Sequence, residues 1–438
     1  MALQHRQLVR CTHGILVCLA VAVCAAFPQS ASAYKFKQIY SFCKKVDCKD
    51  GNGPEAGLVS DAAGNLYGTT TGGGVAGAGT IFELTPDPTG TKWEEKVLYS
   101  FCKETPAACT DGEGPFGPLI IDSAGNLYGA TNIGGAVEGG VAFELERSGK
   151  RPHLKVLINF CGEFEDCGSE PRGGLTFAGA ASGTPYDGKS PLFGVTPIGS
   201  ENNHGVVYEI TPAGHGTWQE TVVYTMCSQA ACADGSYPNG ELLMDAAGNL
   251  YGVGQGGGTA GAGVVFELTP TGGSGWSYSV LHSFCSACAE GGAPVGPLIA
   301  DARGHLFGAT QFGGANGQGS VYTLVPKGAD SPINVLYSFC STANCTDGQE
   351  PWSGPTLDDQ GNLIGTASQG GSFNQSAGVI FSIKGSKENV LHSFCEGENC
   401  GDGQNPMGSL ISDPLGNLYG VTFAGGKGGG GTVFELKR

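Results

Sequence analysis

The segment Asp61-Ala62-Ala63-Gly64-Asn65-Leu66-Tyr67-Gly68 contains a motif, D-x-x-G-N-L-Y-G, that recurs seven times along the chain with small variations. Each copy follows a pair of cysteines and precedes a glycine-rich stretch and a short apolar segment. A unit of about 60 residues that repeats in this way predicts a repeat fold. The seven copies are Asp61–Gly68, Asp122–Gly129, Asp187–Gly194, Asp245–Gly252, Asp301–Gly308, Asp358–Gly365 and Asp413–Gly420.

One unit predicts four short strands. Residues 54–61 and 66–70 read as two strands joined by turn chemistry, since Asp can bind its own backbone while Gly and Asn tolerate left-handed geometry. Residues 80–85 alternate apolar and polar, and residues 93–101 form the fourth strand, with Trp93, Val97, Tyr99 and Phe101 expected on one face. Helix is disfavoured because the chain has 77 glycines, each of which costs about 1 kcal/mol in a helix.

Four antiparallel strands repeated seven times predict an all-β, seven-bladed β-propeller. A β-solenoid is the alternative, but its rungs are usually shorter and its ends stay open. The chain from Tyr34 begins with a fourth strand and ends with a third strand, so the two incomplete ends add up to one blade. We therefore expect residues 35–42 to pair antiparallel with residues 431–437, which removes exposed sheet edges.

Aromatic residues recur at two positions of the unit, and we expect them to pack between neighbouring blades rather than stack on a ligand. The first position holds Tyr67, Tyr128, Phe193, Tyr251, Phe307, Ile364 and Tyr419, and the second holds Phe82, Phe143, Tyr208, Phe266, Tyr322, Phe381 and Phe434.

The first 33 residues read as a secretory signal peptide. Arg6 and Arg10 precede an apolar run that is short for a membrane span, and Ala31-Ser32-Ala33 is a typical cleavage pattern. A lipoprotein signal ending at Cys24 is the alternative. We expect a single propeller domain over residues 34–438, no membrane span, and a secreted protein, extracellular or periplasmic.

The charge of the chain is acidic, with 23 Lys and Arg against 40 Asp and Glu and a formal net charge of −17. Such a surface repels nucleic acid and anionic membranes, so neither is an expected partner.

The cysteines outside the predicted leader form seven close pairs, one per repeat. An even number of locally paired cysteines in an exported chain indicates disulfides. Metal ligation is the alternative, but each unit offers two sulfurs and no repeated histidine, which falls short of a four-ligand zinc site. The pairs are Cys43/Cys48, Cys102/Cys109, Cys161/Cys167, Cys227/Cys232, Cys285/Cys288, Cys340/Cys345 and Cys395/Cys400.

These repeats resemble the GloVer-type family of exported bacterial tandem-repeat proteins. The matching residues in one unit are Leu98–Cys102, Asp111-Gly112, Pro115, Asp122–Gly129 and Gly140–Leu145, with counterparts in the others. The resemblance implies an exported protein and brings no catalytic residues. The turn motif also looks like the blade motifs of lactonase-type and sensor-domain propellers.

A specific site needs residues that break the repeat. The third unit is the most irregular: it carries an insertion through Ala178–Ser190, and it has Glu201, Asn202, Asn203 and His204 where other units have Gly and Ala. These four residues are our candidate binding loop, and simple sequence drift is the alternative. We expect the face that carries residues 178–204 to border any specific site.

We assign no catalytic, cofactor-binding or metal-binding residues. His282 and His392 occupy a tyrosine position and read as packing variants, and no hydrolase or phosphate-binding motif occurs. Asp50, Asp111, Asp234, Asp347 and Asp402 follow the second cysteine of their units. We interpret them as turn-stabilising; weak calcium binding is the alternative, although calcium prefers six or more oxygen ligands.

We therefore predict a secreted binding or scaffold module that recognises a protein or a glycan and requires no cofactor. The alternatives are a propeller-type hydrolase or lyase that acts on lactones or polysaccharides through a central-channel site, and a surface-layer component.

Overall fold

The recurring aspartates fold the local turns on which each blade depends. The Asp61 Oδ1 atom accepts hydrogen bonds from the backbone N–H groups of Ala63 and Asn65, both at 2.9 Å. Its Oδ2 atom accepts from the Asn65 side chain at 2.8 Å and from the Tyr67 hydroxyl at 2.9 Å. The Tyr67 oxygen also lies 2.9 Å from Glu83 Oε1, on a neighbouring strand. The motif therefore joins a turn to two strands.

The computed structural model describes residues 34–438 apart from 104–107, 150, 162–166, 274, 286–288 and 374–375. The predicted signal peptide lies outside the described residues and stays a prediction. None of the helices in the described part has the length and apolarity of a membrane span.

The described residues form short strands and a few single turns of 3-10 helix. The 3-10 turns are Val46–Cys48, Ala180–Ser182, Ala230–Cys232, Ala343–Cys345 and Glu398–Cys400. In chain order the strands are β1 (Lys35–Ser41), β2 (Val59–Ser60), β3 (Leu66–Thr70), β4 (Thr80–Pro86), β5 (Trp93–Ser100), β6 (Glu113–Pro115), β7 (Ile120–Ile121), β8 (Leu127–Ile133), β9 (Val141–Glu146), β10 (His153–Asn159), β11 (Gly168–Ser169), β12 (Leu192–Thr196), β13 (Ile198–Gly199), β14 (Val206–Gly214), β15 (Thr217–Thr225), β16 (Ser236–Met244), β17 (Leu250–Gly256), β18 (Val264–Gly272), β19 (Gly275–Ser283), β20 (Gly292–Ala300), β21 (Leu306–Phe312), β22 (Ser320–Leu324), β23 (Ile333–Ser338), β24 (Thr356–Leu357), β25 (Leu363–Ala367), β26 (Val379–Lys384), β27 (Lys387–Ser393), β28 (Ile411–Ser412), β29 (Leu418–Thr422) and β30 (Thr432–Lys437).

These strands build seven antiparallel blades, so the predicted all-β, seven-bladed propeller is confirmed. Blade 1 has the order β2-β3-β4-β5, and blades 4, 5 and 6 repeat it with β16 to β19, β20 to β23 and β24 to β27. In blade 2 the first strand is split into β6 and β7, which both pair with β8. Blade 7 has the order β28-β29-β30-β1, because β1 pairs antiparallel with β30 and Lys35 lies opposite Lys437.

Blade 3 departs from the predicted four strands. Its long strands are β12, β14 and β15, and a single bridge from Thr176 to Phe193 replaces the innermost strand. The carbonyl of the next residue, Phe177, accepts a hydrogen bond from Ala180 N–H. The chain therefore enters the inserted turn at this point and does not continue to pair with β12.

Two other sequence predictions about strands were wrong. Residues 54–61 were predicted as one strand, but only Val59–Ser60 is a regular strand in blade 1. The predicted single face of Trp93, Val97, Tyr99 and Phe101 is broken by a bulge, since Val97 pairs with Phe82 and Tyr99 with the preceding residue, Ile81. A bulge of this kind shifts the alternation of side chains between the two faces.

Among the described residues, buried apolar side chains form seven clusters, one at each junction between neighbouring blades. The cluster between blades 7 and 1, for example, packs Tyr419 and Val433 against Leu58 and Phe82. Tyr67 and Phe82 are fully buried. The expected packing role of the repeated aromatics is therefore confirmed, and the tyrosine hydroxyls add hydrogen bonds to it.

The same backbone hydrogen bond joins each blade to the previous one. The residue before the repeated proline adopts a left-handed φ in every blade, as at Gly53 (67°) and Tyr237 (53°). Its N–H donates to a carbonyl in the glycine-rich segment of the neighbouring blade. The seven pairs are Gly53–Gly430, Gly114–Ala78, Glu170–Gly139, Tyr237–His204, Ala293–Ala262, Glu350–Gln318 and Asn405–Ala377, all at 2.8 or 2.9 Å.

Disulfides close the loops between blades. The six disulfides described are Cys43–Cys48, Cys102–Cys109, Cys161–Cys167, Cys227–Cys232, Cys340–Cys345 and Cys395–Cys400. Cys285 is disulfide-bonded, and its predicted partner Cys288 lies outside the described residues. Closing such short loops stabilises the folded state by about 2 kcal/mol each.

The connections divide between two ends of the propeller. The Asp turns and the hairpins between the third and fourth strands of each blade form one end, which we call the turn face. The cysteine loops and glycine-rich segments form the other end, which we call the loop face. The two kinds of loop touch there, since Gly74 N–H donates to the Cys48 carbonyl and Gly258 N–H to that of Cys232.

Glycines let the blades approach one another at the axis. Substitution of alanine for glycine tests this close approach. A Cβ atom at Gly240 would lie 2.7 Å from the Gly296 carbonyl group of the next blade, whereas one at Gly261 would meet nothing within 4 Å. Both glycines have left-handed φ. In urea unfolding we expect Gly261→Ala to cost about 1 kcal/mol for backbone strain alone, and Gly240→Ala to cost about 3 kcal/mol or more. Equal losses would contradict the close packing at the axis.

Candidate functional site

A cavity of about 330 Å³ lies at the axis, and every blade contributes to it. Most of the lining segments follow the repeated proline, near the innermost strand of each blade, and two further residues, Gln255 and Gln311, lie on the second strands β17 and β21. The lining residues are Glu55, Ala56, Gly57, Phe116, Pro118, Arg172, Gly173, Gly174, Asn239, Gly240, Glu241, Gln255, Gly296, Pro297, Gln311, Trp352, Ser353, Met407, Gly408 and Ser409. This volume lies at the lower end of the range for small-molecule sites.

The residue directly after the repeated proline differs in all seven blades. The seven residues at this position are Glu55, Phe116, Arg172, Asn239, Val295, Trp352 and Met407. All of them except Val295 line the cavity. The repeat is thus broken where the blades converge, which is what a single asymmetric site requires.

Sequence reasoning missed this position because it looked for insertions. A usable signal was present in the sequence. Each unit contains a five-residue segment with an acid or cysteine first, glycine second, two variable residues and a final proline. Examples are Asp50-Gly51-Asn52-Gly53-Pro54 and Asp347-Gly348-Gln349-Glu350-Pro351. The residue that follows this frame is different in every unit.

Two glutamates in the cavity are unusual electrostatically. Burial raises the pKa of Glu241 to about 7. Burial also raises the pKa of Glu55 to about 7, although the positive charge of Arg172 acts in the opposite direction. The Glu55 Oε2 atom is buried and has no hydrogen-bond partner among the described residues. The cavity therefore holds two carboxyl groups whose ionised forms are disfavoured by burial, and one of these groups has an oxygen without a donor among the described residues.

The remaining side chains offer apolar faces and amide groups. Trp352 is 40% exposed, although it lines a cavity, and Phe116 and Met407 lie in the same wall. Asn239, Gln255 and Gln311 supply amides that can donate and accept hydrogen bonds. A few polar groups set among apolar surfaces are typical of ligand pockets.

The loop face also carries most of the exposed apolar side chains. Of the nine large apolar residues exposed in the described part of the chain, only Leu415 lies in an Asp turn. The other eight lie in the cysteine loops, the glycine-rich segments or the strand ends beside them: Val46, Val75, Val137, Tyr237, Phe312, Trp352, Phe373 and Phe423. Such a concentration on one face favours that face as the interaction surface.

The predicted loop, Glu201 to His204, lies on the loop face but does not line the cavity. Its last residue contacts the rim, since the ring centroids of His204 and Tyr237 are 5.1 Å apart. The insertion through residues 178–190 belongs to the turn face, because Tyr186 bridges Asp122 in an Asp turn of blade 2. The expectation that residues 178–204 share one face was therefore wrong, because strand β12 separates the two segments.

The aspartates after the cysteines bind protein groups. Asp347 Oδ2 accepts hydrogen bonds from the Tyr337 hydroxyl and from Ser341 N–H, both at 2.7 Å. Histidine takes the tyrosine's role in blade 6, where His392 Nε2 lies 3.0 Å from Asp402 Oδ2. Reading His392 as a packing variant was therefore incomplete. The hydrogen bonds agree with turn stabilisation, and calcium binding stays an untested alternative.

In the described part of the chain, the groups of three potential metal ligands that lie together each include a disulfide-bonded cysteine pair. They are His204 with Cys227 and Cys232, and Glu113 with Cys102 and Cys109. A sulfur in a disulfide is not a thiolate, which is the form that binds metals.

The sequence of this chain matches the model of the Gloeobacter/Verrucomicrobia repeat over residues 26–190 and 178–345. The chain belongs to this family. The GloVer resemblance seen in the motifs is thereby confirmed. A search of curated proteins gave no match to this family member.

Solved structures similar to this GloVer protein show the fold alone. The extracellular domain assigned to the hybrid two-component system BT4673 of B. thetaiotaomicron aligns with a TM-score of 0.51 and 10% identity, over 91% of this chain and 39% of that chain. This chain thus spans about two fifths of that one. The Trypanosoma rangeli sialidase aligns with a TM-score of 0.45 and 9% identity, over 91% of this chain and 59% of the sialidase, which is too distant to support an argument.

The raised pKa of Glu241 predicts a pH-dependent stability. Its folded-state pKa of about 7 exceeds the ordinary value of 4.5. The folded state therefore holds this proton more tightly, and the associated stability is complete below about pH 4.5 and is lost as the pH rises through 7. Replacing Glu241 by Gln should stabilise the protein by about 1–2 kcal/mol at about pH 8 and leave it unchanged at about pH 4.

Chemical unfolding at the two pH values measures this difference. The control is Glu94→Gln, which removes the same charge from an exposed strand position. An equal gain in the two variants, or a loss at the higher pH for Glu241→Gln, would contradict the assignment.

Proposed function

We propose that this protein is an exported binding module that holds a saccharide in the axial cavity of its loop face. The observation that carries the proposal is the cavity itself, where six blades each contribute a different side chain from one position of the repeat. A scaffold without a ligand would have no physical need for that asymmetry at the point where otherwise similar blades meet.

The chemistry of the lining favours a saccharide. A sugar ring has an apolar face that can lie on an aromatic side chain, and Trp352 presents an exposed indole beside the cavity. The hydroxyl groups of a sugar both donate and accept hydrogen bonds, and they suit the carboxyl groups of Glu55 and Glu241 and the neighbouring amides. The cavity volume of about 330 Å³ favours the end of a glycan or a short saccharide.

The surrounding loop face supports contact with the rest of a larger glycan or glycoprotein. Tyr237 and Phe312 are 40% and 46% exposed, and each lies at a strand end next to a lining segment. The predicted loop, Glu201 to His204, borders Tyr237 through the ring of His204. We propose this loop as part of the rim, outside the central pocket.

An extracellular or periplasmic location is supported by the disulfides, which persist in oxidising compartments. The net charge of −17 suits a soluble exported protein and disfavours nucleic-acid partners.

A glycoside hydrolase is the second candidate, because Glu55 and Glu241 line one cavity. Hydrolysis by two carboxyl groups requires one protonated acid and one ionised partner, whose pKa values are pushed apart by their surroundings. Burial instead raises the pKa of both groups to about 7. Two similar carboxyl groups suit binding better than a division into acid and nucleophile.

Removal of the indole tests the binding site. Trp352→Ala should weaken saccharide binding by about tenfold or more, because the sugar loses its stacking surface. The control is Leu415→Ala, which removes an exposed apolar side chain from an Asp turn on the turn face, away from the cavity. Isothermal titration against saccharides selected on a glycan array measures the effect. Equal affinities for both variants, or no saccharide ligand on the array, would refute the proposed site.

Replacement of the loop tests the rim. Changing Glu201, Asn202, Asn203 and His204 to Gly and Ala, as in other blades, should weaken binding of a long glycan by about threefold and leave a short saccharide unaffected. Unchanged binding of both ligands would remove the loop from the site.

A further inference from the structure

We propose that the axial cavity selects saccharides that carry a protonated amine over their neutral counterparts, an inference that rests on the proposed function. The observation behind it is an imbalance of charge. In the described residues that line the cavity, the charged groups are Glu55, Glu241 and Arg172, so two carboxyl groups face one cation.

Glu55 differs from the acids of the repeat in its hydrogen-bond partners. Asp61 accepts four hydrogen bonds, from two backbone N–H groups and two side chains, and Asp234 is similarly surrounded by the Tyr224 hydroxyl and by the N–H groups of Ser228 and Gln229. By contrast, Glu55 Oε2 is buried with no partner among the described residues. A buried carboxylate without a hydrogen-bond donor is costly in free energy. A ligand that supplies N–H or O–H donors to this carboxylate removes that cost and therefore binds more tightly.

Arg172 does not fill this role, because its guanidinium is engaged elsewhere. Its Nη2 atom forms an ion pair with Glu170 Oε2 at 3.2 Å, and its Nε donates to Asn132 Oδ1 at 3.4 Å. The guanidinium carbon lies 5.8 Å from the centre of the Phe116 ring. These contacts hold the cation at the rim, and its half-exposed charge is partly screened by water.

An ammonium group on the ligand would supply a positive charge and hydrogen-bond donors to the carboxyl groups of the cavity. It carries three N–H donors and a full positive charge, which suit a cavity with two carboxyl groups, one of which has a buried oxygen without a donor among the described residues. It is also attracted to the faces of aromatic rings, and Phe116 and Trp352 line the same cavity. A neutral acetamido group at the same place would supply one N–H and no charge, so it would leave at least one carboxyl group without a partner.

The experiment compares a glucosamine oligosaccharide with its N-acetylated counterpart by isothermal titration against residues 34–438. The sugar rings are the same, so the amine is the variable. At about pH 7.5 we expect the amino form to bind at least about tenfold more tightly, and the Glu55→Gln, Glu241→Gln double variant to bring the two forms to within about twofold. The control Glu94→Gln removes an acidic charge from an exposed strand position and should keep the preference.

A change of pH gives a second readout. Burial raises the pKa of Glu55 and of Glu241 to about 7, and the other charged groups at this wall are Arg172 and its partner Glu170. Both carboxyl groups gain protons between about pH 7.5 and pH 5.5. The amine of glucosamine gains protons over the same range, so this comparison uses an aminoalkyl glycoside, whose amine stays charged at both pH values, and its N-acetylated counterpart. The preference for the charged amine should shrink at the lower pH. Binding of the N-acetylated form should change little.

The outcomes separate this inference from the proposed function. If both forms bind equally and Trp352→Ala weakens both, the saccharide site stands and the amine preference is refuted. Binding of the amino form that survives Trp352→Ala would mean attraction to the acidic surface and would also refute it. If neither form binds and no other saccharide does, the proposed function itself fails.

Discussion

The structure depends on how closely seven backbones can approach at one axis. Each innermost segment passes its neighbour with glycine at or near the contact, as Gly240 does against Gly296. The residue before each repeated proline takes a left-handed conformation and donates its N–H to the previous blade. These two conditions fix where each blade begins. They also fix the position of the residue after the proline, which lines the axial cavity in six of the seven blades. A constant frame therefore presents a variable residue at the axis, and this is how a repeat with nearly identical blades can build one asymmetric cavity.

The rest of the repeat secures this arrangement from outside. The Asp turns bind their own backbone and the tyrosine of the second strand, and that tyrosine reaches a glutamate on the third, as in Asp61, Tyr67 and Glu83. The cysteine loops carry a second aspartate that accepts hydrogen bonds from the loop and from the preceding blade, as Asp347 does from Tyr337. The carboxylates of these acids are already hydrogen-bonded to groups of the protein. Glu55 is different, because its buried Oε2 atom has no hydrogen-bond donor among the described residues. This carboxyl group is therefore available to a ligand, whereas the repeated aspartates stabilise the scaffold.

The fold could be predicted because its determinants are local and repeated. Asp61 to Gly68 specifies a turn and a strand within eight residues, and seven copies with paired cysteines specify the number of blades. The bulge opposite Ile81 and Phe82 could not be predicted, because it depends on pairing with a strand that follows a hairpin. The site could not be predicted for a related reason. Glu55, Arg172 and Trp352 are far apart in sequence and meet only when the ring closes, whereas the conspicuous insertion at residues 178–190 lies on the opposite face.

The axial site is tested most directly by a crystal structure of the protein grown with a saccharide ligand. The account predicts a sugar against the Trp352 indole, with polar groups within hydrogen-bond distance of Glu55 and Glu241. A ligand bound instead on the turn face, beside Tyr186 and the Asp turns, would contradict it.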